Sequence, residues 1–360
     1  MKRAACRSRI VRQAGAALAT LFLLVSACAC GPAVSTPEPT VSPTPIVPSL
    51  PPQAAGRTYH ISSSGGDDTA DGRTPETALQ SFKPLPRRFE PGDRILLKTG
   101  DVFRDSLLVA GNGTEEAPIL LGAYGDGPRP RLEAGSRRQV LVTLTNGSHW
   151  RIQDLSMAGG KVGLFLQVVS AGNRDIQVRR CDFENFYDPS YTFATTDTVM
   201  QSFQYRIYFS AGIWVGGNLL SEVQAATLLD GYTVEDCTFT HCAVGLGMNW
   251  YYPPFHAERI RNVTFANLRF RDLLMNGIEL RQTIGAVVRD VVIENSALAP
   301  ADDPLPLHAD FGVAGLFFHG VQDLELTGID IREVHRGDSP DGCGIDFEYC
   351  RRVTLRDSQV

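Results

Sequence analysis

Several features are scarce in this 360-residue chain, and each scarcity excludes something. No apolar run reaches the ~20 residues that carry a helix across a bilayer, so a polytopic membrane protein is excluded. Basic charge is short: 34 Lys and Arg stand against 40 Asp and Glu, which removes the positive footprint of a nucleic-acid binder. Eight cysteines are present, yet none has C-x-x-C spacing, so support for a zinc site is weak. Helical periodicity is absent. What remains is 43% hydrophobic and 21% charged, a globular composition that excludes wholesale disorder.

The N-terminus is a segment for export. A basic start, Met1 to Gln13, precedes the apolar run Ala14 to Val25, which is about half a membrane span. Val25-Ser26-Ala27-Cys28 then resembles the bacterial lipobox, in which the cysteine is lipidated and becomes the first residue of the mature chain. That resemblance implies a signal peptide over residues 1–27 and an anchor at Cys28, whose diacyl group supplies the two chains stable attachment needs. Ordinary signal cleavage beside Cys28 is the alternative. Removing the signal takes away Lys2, Arg3, Arg7, Arg9 and Arg12 and no acid, so the net charge moves from −6 to near −11. The Pro, Ser and Thr-rich stretch that completes residues 28–56 cannot bury enough apolar surface to fold and reads as a semi-stiff polyproline II spacer.

From Trp150 onward one phrase recurs about every thirty residues: apolar, any, apolar, any, polar or Gly, inward residue, any, apolar. Its copies begin at Trp150, Ile176, Tyr232, Val263, Val291, Leu324 and Val353, and its turn column reads Asp154, Arg180, Asp236, Asn267, Asn295, Gly328, Asp357. Most copies follow a second phrase, Gly-apolar-any-apolar, starting at Gly163, Gly212, Gly245, Gly277, Gly315 and Gly344. The long step between Arg180 and Asp236 contains an inserted loop, Tyr187 to Ala211. Alternation with period two means short strands with one face inward. Strands too short to stand alone, repeated in one orientation, stack into a parallel β solenoid. A β-sandwich would instead need tight hairpin turns between paired strands. The Asn, Asp and Gly column suits left-handed turn geometry.

The domain over residues 57–360 resembles the right-handed parallel β-helix, or pectate lyase-like, superfamily, which includes pectate lyases, chondroitinase B-like lyases and several glycoside hydrolases. The resemblance is carried by its opening, Tyr59-His-Ile-Ser-Ser-Ser-Gly-Gly-Asp-Asp, by Pro75-Glu-Thr-Ala-Leu-Gln-Ser-Phe, by Pro91-Gly-Asp-Arg-Ile-Leu-Leu-Lys-Thr-Gly-Asp-Val-Phe and by Ala117-Pro-Ile-Leu-Leu-Gly-Ala-Tyr-Gly. It implies an all-β solenoid fold and leaves the reaction open, because that fold hosts lyases, hydrolases, isomerases and adhesins. The chain stops at Val360 directly after a strand phrase, so truncation of the domain at its C-terminus is expected.

Alternation assigns the outward face of the Gly-led strands. One column reads Phe165, Trp214, Gly247, Glu279, Phe317, Asp346, and the next reads Gln167, Gly216, Asn249, Arg281, His319, Glu348. With coils about 4.8 Å apart, these columns tile one elongated face. Aromatic rings beside carboxylates suit a sugar polymer. Asp346 and Glu348 lie two residues apart on one strand, about 6.6 Å between Cα atoms, which fits the roughly 6.5–9.5 Å carboxyl separation of inverting glycoside hydrolysis. A solvated pair or a Ca²⁺ site is the alternative for these two. Glu279, Arg281 and His319 complete the candidate catalytic group, with a same-strand ion pair as the plain reading of Glu279 and Arg281. Phe165, Trp214, Phe317 and the loop residues Asn249, Trp250, Tyr251 and Tyr252 are the candidate substrate contacts. Asp338 and Asp341 could supplement the pair, or simply serve their turn. Cys181 and Cys237 share an inward column, as stacked thiols or as a disulfide, whereas Cys343 and Cys350 flank an extended segment too long to bridge.

The expected protein is a monomeric cell-surface enzyme that cleaves an extracellular polysaccharide or oligosaccharide, meeting the membrane only through its lipid anchor and binding no nucleic acid. Hydrolysis, which requires no cofactor, is favoured, because the outward columns hold no Lys and the acidic mature chain would repel polyanions. A Ca²⁺-assisted lyase using Arg or His as base, or a glycan-binding adhesin without catalysis, are the alternatives. Replacing Cys28→Ser is expected to release the protein into the aqueous phase on detergent partitioning, and a variant that stays with lipid would overturn the anchor.

Overall fold

The computed structural model describes residues 56–188, 210–216, 227–248, 258–298, 313–335 and 342–360. Every ladder pairs strands in parallel. Each coil contributes to three sheets, and each strand hydrogen-bonds to its equivalents in the coils before and after. In the first sheet Asn173–Arg179 lies between Trp150 to Gln153 and Leu229–Glu235. In the second, Asp182–Glu184 lies between Ser156–Ala158 and Thr238–Thr240. In the third, Val162–Gln167 pairs with Ala211–Gly216. This is the right-handed parallel β-helix that the repeat implies. Parallel strands cannot close through a tight hairpin, so the chain must travel a full coil before pairing again.

The turn column is left-handed, as expected: Asp154, Arg180, Asp236, Asn267, Gly328 and Asp357 all have φ between 49° and 65°. One member is corrected. The ladder aligns Val263 with Ala286 and Leu268 with Val291, so the coil's phrase runs from Ala286 to Ile293 and its turn residue is Asp290, not Asn295. Asn295 belongs to the next corner, where its side-chain amide donates to Asp272 at 3.0 Å. The apolar alternation continues through that corner, so the same pattern fits twice, five residues apart. The sequence reading also missed a whole column. Asp175, Gly231, Asn262, Gly285, Asp323 and Arg352, which open the first sheet in successive coils, all have positive φ.

The interior stacks like on like. Phe183, Phe239 and Phe270 form a pile with ring centroids 4.9 and 4.8 Å apart, continued by Ile293 and Ile331 in register. This pile explains the Gly-led strands. A Cβ on Gly245 would lie 2.3 Å from the Phe270 ring, and one on Gly277 would lie 2.7 Å from Ile293. Cys181 and Cys237 also stack, as free and fully buried thiols, the Cys181 amide donating to the Cys237 sulfur at 3.4 Å. Burial pushes the Cys181 thiol well up. Ile278 and Leu280 are buried and Ile345 half-buried, which confirms their inward phase. Phe347 is 40% exposed, yet it points the same way, stacking on Phe318 at 5.6 Å; no further described coil lies over it.

The opening motifs that carry the family resemblance build the first coils. Asp93 accepts from the backbone amides of Arg57 and Glu90 at 2.8 and 2.9 Å. Asp101 accepts from the Ser62 and Ser64 hydroxyls at 2.8 and 2.7 Å. Burial acts to raise the Asp101 pKa, but these hydrogen bonds outweigh it and hold the carboxyl below its ordinary value. Replacing Gly245→Ala is expected to destabilise the fold by about 1–3 kcal/mol through overpacking against Phe270, read as a lower urea midpoint with the slope unchanged. An unchanged midpoint would show that the aromatic pile yields freely.

Candidate functional site

The outward face under consideration belongs to the third sheet, whose strands include Val162–Gln167, Ala211–Gly216, Val244–Met248, Ile278–Arg281, Val313–His319 and Gly342–Glu348. Register assembles the expected columns. Phe165 pairs with Trp214 and Trp214 with Gly247. Glu279 pairs with Phe317 and Phe317 with Asp346, while Arg281 pairs with His319 and His319 with Glu348. The five candidate catalytic side chains therefore occupy three consecutive coils.

The face is less open than alternation alone suggests, and three expectations are corrected. Trp214 is only 1% exposed. It lies in a second apolar cluster outside the solenoid core, with Val162, Ala211, Val244 and Met275, and with Phe165 packed at its edge. A Cβ on Gly247 would stand 2.3 Å from the Trp214 ring, so the missing side chain one coil on is what lets the indole lie down. Trp214 thus supports the face from beneath instead of offering an open stacking surface. Glu279 and His319 are also outward by phase yet buried, at 3% and 0% exposure. Phe317 is half-buried, with the Arg281 guanidinium over its ring at 4.8 Å, a cation–π contact that occupies one ring face.

Glu279 is held by two groups. Asn276 donates its side-chain amide to Oε1 at 2.8 Å, and Arg281 Nη2 approaches Oε2 at 3.3 Å. The Asn276 side-chain oxygen Oδ1 in turn accepts from the Ala314 backbone amide at 2.9 Å, pinning the group to the next coil. Both oxygens of the buried carboxylate are thus engaged, so Glu279 positions Arg281 and offers no open face to a ligand. His319 sits between two rings, Phe317 at 6.4 Å and Tyr349 at 5.3 Å between centroids, and its Nε2 lies 3.7 Å from Glu348 Oε2. Asp346 and Glu348 are the open members of the group: Asp346 is half-buried, and the Glu348 side chain is 40% exposed. Their negative charges, second to burial itself, help push the nearby Cys350 thiol up to about 11.

Asn276 and Tyr349 are site residues the sequence reading missed. Asn276 stands directly before the Gly277 phrase, a position not examined for chemistry because the phrase begins at the glycine. Among the described residues no group of three or more His, Cys, Asp or Glu side chains is gathered for a metal. For Ca²⁺, which takes six to eight oxygens, Asp346 and Glu348 therefore have no third such protein ligand there. Asn249, Trp250, Tyr251 and Tyr252, and the loop residues Asp338 and Asp341, lie outside the described residues, as do the signal, Cys28 and nearly all of the linker.

No family model matches the chain. In sequence it is similar to a lacto-N-biosidase of Bifidobacterium longum subsp. longum, with 30% identity over 163 residues that cover 40% of this chain and 9% of that protein. In structure it is similar to a GH136 lacto-N-biosidase from Eubacterium ramulus, with a TM-score of 0.61 at 16% identity over 84% of this chain and 55% of that one. The selenomethionine form of that enzyme gives 0.59 at 18% identity, over 82% and 56%. The chain spans about half the length of these solved relatives and a small fraction of the curated one. The structural likeness places the chain in the β-helix fold that the Eubacterium enzyme also uses.

Replacing Asn276→Ala is expected to cost about 1–3 kcal/mol of stability, since it strips a hydrogen bond from a buried carboxylate and leaves the Ala314 amide without its acceptor. Equilibrium urea unfolding reads this directly. A loss within about 0.5 kcal/mol, typical of surface substitutions, would show that the Asn276–Glu279 contact carries no weight.

Proposed function

We propose that the protein is a glycoside hydrolase acting outside the cell on an uncharged or weakly charged glycan, with Asp346 and Glu348 as its acid and base. The observation that carries this reading is that the two carboxyls share one outward strand face, in register with Phe317 and His319, within a fold also found in a GH136 lacto-N-biosidase. In the reaction one carboxylic acid gives its proton to the glycosidic oxygen as that bond breaks. The other, as carboxylate, takes a proton from the water that bonds to the anomeric carbon. Inverting hydrolysis needs roughly 6.5–9.5 Å between the carboxyl groups, a span within reach of two side chains whose Cα atoms stand about 6.6 Å apart on one strand face. The relatives' name makes an oligosaccharide bearing lacto-N-biose the first substrate to offer.

The neighbouring groups favour hydrolysis over elimination. A lyase needs a base that can take the proton from a sugar carbon, and His319 is fully buried while Arg281 is engaged with Glu279. The lipobox-like Val25-Ser26-Ala27-Cys28 and the proline-rich stretch behind it support a lipid-anchored, extracytoplasmic enzyme, and acid–base hydrolysis of this kind requires no cofactor.

Incubation with a panel of oligosaccharides, followed by mass spectrometry, tests the reaction class: hydrated ends support hydrolysis, and unsaturated ends would overturn it. On a glycan the parent cleaves, Asp346→Asn and Glu348→Gln are each expected to fold normally and to lower kcat by about a hundredfold or more. Full activity in both variants would place the chemistry elsewhere.

A further inference from the structure

Tyr349 directly follows Glu348, at the corner where the strand Gly342–Glu348 ends. Its counterparts in the two preceding coils are Gln282 and Gly320, because Arg281, His319 and Glu348 pair in register. All three corner residues are left-handed, with φ of 46° at Gln282, 66° at Gly320 and 53° at Tyr349. That geometry suits Gly and, after it, Asn or Asp, whereas a bulky aromatic residue is uncommon there. The turn therefore gives no reason for a tyrosine. A disfavoured residue beside a candidate reactive pair calls for a role for its side chain.

The surroundings of the ring define that role. Among the described residues the exposed Phe, Tyr and Trp side chains are Phe347 and Tyr349. Phe347 stacks inward on Phe318. Tyr349 instead meets His319, an outward-phase side chain, at 5.3 Å with the ring planes 69° apart. Its ring is thus on the outer face, and it is 57% exposed. It ends a row of flat groups: the Arg281 guanidinium lies over Phe317 at 4.8 Å, and Phe317 stands 6.4 Å from His319. The inner members are covered, with His319 fully buried, Phe317 half-buried and the Arg281 side chain 15% exposed. An open ring braced by a buried one loses little freedom on binding.

Two kinds of surface meet at this point. The face of the tyrosine ring is weakly negative and attracts C–H groups. Glu348 borders the same imidazole, its Oε2 lying 3.7 Å from His319 Nε2, so a ligand laid on Tyr349 also covers part of that carboxyl. A wholly apolar ligand would strip water from the carboxyl and return no hydrogen bond, which is costly. A pyranose answers both demands, because axial C–H bonds gather on its face and hydroxyls stand around its rim.

We propose that Tyr349 is the stacking platform for a pyranose ring of the glycan, holding one sugar unit beside the acid pair. The choice of ligand rests on the glycoside hydrolase reading; the stacking itself is measured without turnover. The experiment uses the full chain carrying Asp346→Asn and Glu348→Gln together, titrated by calorimetry with neutral tetrasaccharides of β-linked hexose and N-acetylhexosamine. In that background Tyr349→Ala and Tyr349→Leu are each expected to weaken binding about tenfold, the scale of a lost aromatic contact. Tyr349→Phe keeps the ring face and is expected to bind within about twofold of its parent. Leucine still covers His319 but has no π face, so it separates stacking from mere shielding, and it stays informative if the alanine variant fails to fold. Leucine binding as well as phenylalanine would overturn the proposal, as would phenylalanine binding as weakly as alanine. Failure of every tetrasaccharide to bind at millimolar concentration would overturn it too. Binding lost with leucine and kept with phenylalanine, with no glycan cleaved by the natural chain, would uphold the platform and remove the hydrolase reading. Cleavage by the natural chain with affinity indifferent to Tyr349 would do the reverse.

Discussion

The parallel hydrogen-bond ladder between coils is the constraint on which the remaining structure depends. Because each strand pairs with its equivalent one coil away, a residue's neighbours along the solenoid axis are its counterparts in the repeat. A slip of one residue would turn every inward side chain outward. The ladder therefore selects columns: phenyl rings on phenyl rings at Phe183, Phe239 and Phe270, thiol on thiol at Cys181 and Cys237, and left-handed residues at the corners. Space in one sheet then restricts residue choice in another, because the aromatic pile of the second sheet leaves no room for a Cβ at Gly245 in the third.

The same logic shapes the outer face. At Gly247 the column carries no side chain, so Trp214 can lie over that position and seal a small apolar cluster outside the main core. Toward the other end of the same column the residues become charged, beginning with Glu279, which is held by Asn276 and Arg281. Arg281 in turn lies over the Phe317 ring. The site thus grades from a packed apolar floor, through a buried ion pair, to the more open carboxyls of Asp346 and Glu348. Burial of an ion pair is tolerated here because each oxygen of Glu279 has its own donor.

Much of this fold was legible because period-two alternation and a thirty-residue repeat are strong signals, and they placed Phe165, Trp214, Glu279, Phe317 and Asp346 in their correct columns. The misassignment of Asn295 for Asp290 has a local cause. Val291 to Ile293 can be read as the beginning of the phrase or as its end, and only the ladder to Leu268 and Phe270 decides. The column through Asp175, Asn262 and Arg352 escaped notice because residues as different as Gly and Arg adopt its left-handed geometry. Depth escaped for another reason. Alternation reports which way a side chain points, not what lies over it, so Trp214, Glu279 and His319 read as open when they are covered.

That distinction bears on which carboxyls could do chemistry. A general acid must keep its proton near neutral pH, and a neighbouring negative charge is one of the physical means of holding it there. Glu279 is covered and held by Asn276 and Arg281, whereas Asp346 and Glu348 are the more open carboxyls and stand two residues apart on one strand. Beside that pair stands His319, whose Nε2 lies 3.7 Å from Glu348 Oε2. His319 is itself fully buried, between the rings of Phe317 and Tyr349. Packing therefore fixes the imidazole's place beside Glu348, so that one edge of the open pair is built from a side chain whose own position solvent does not govern.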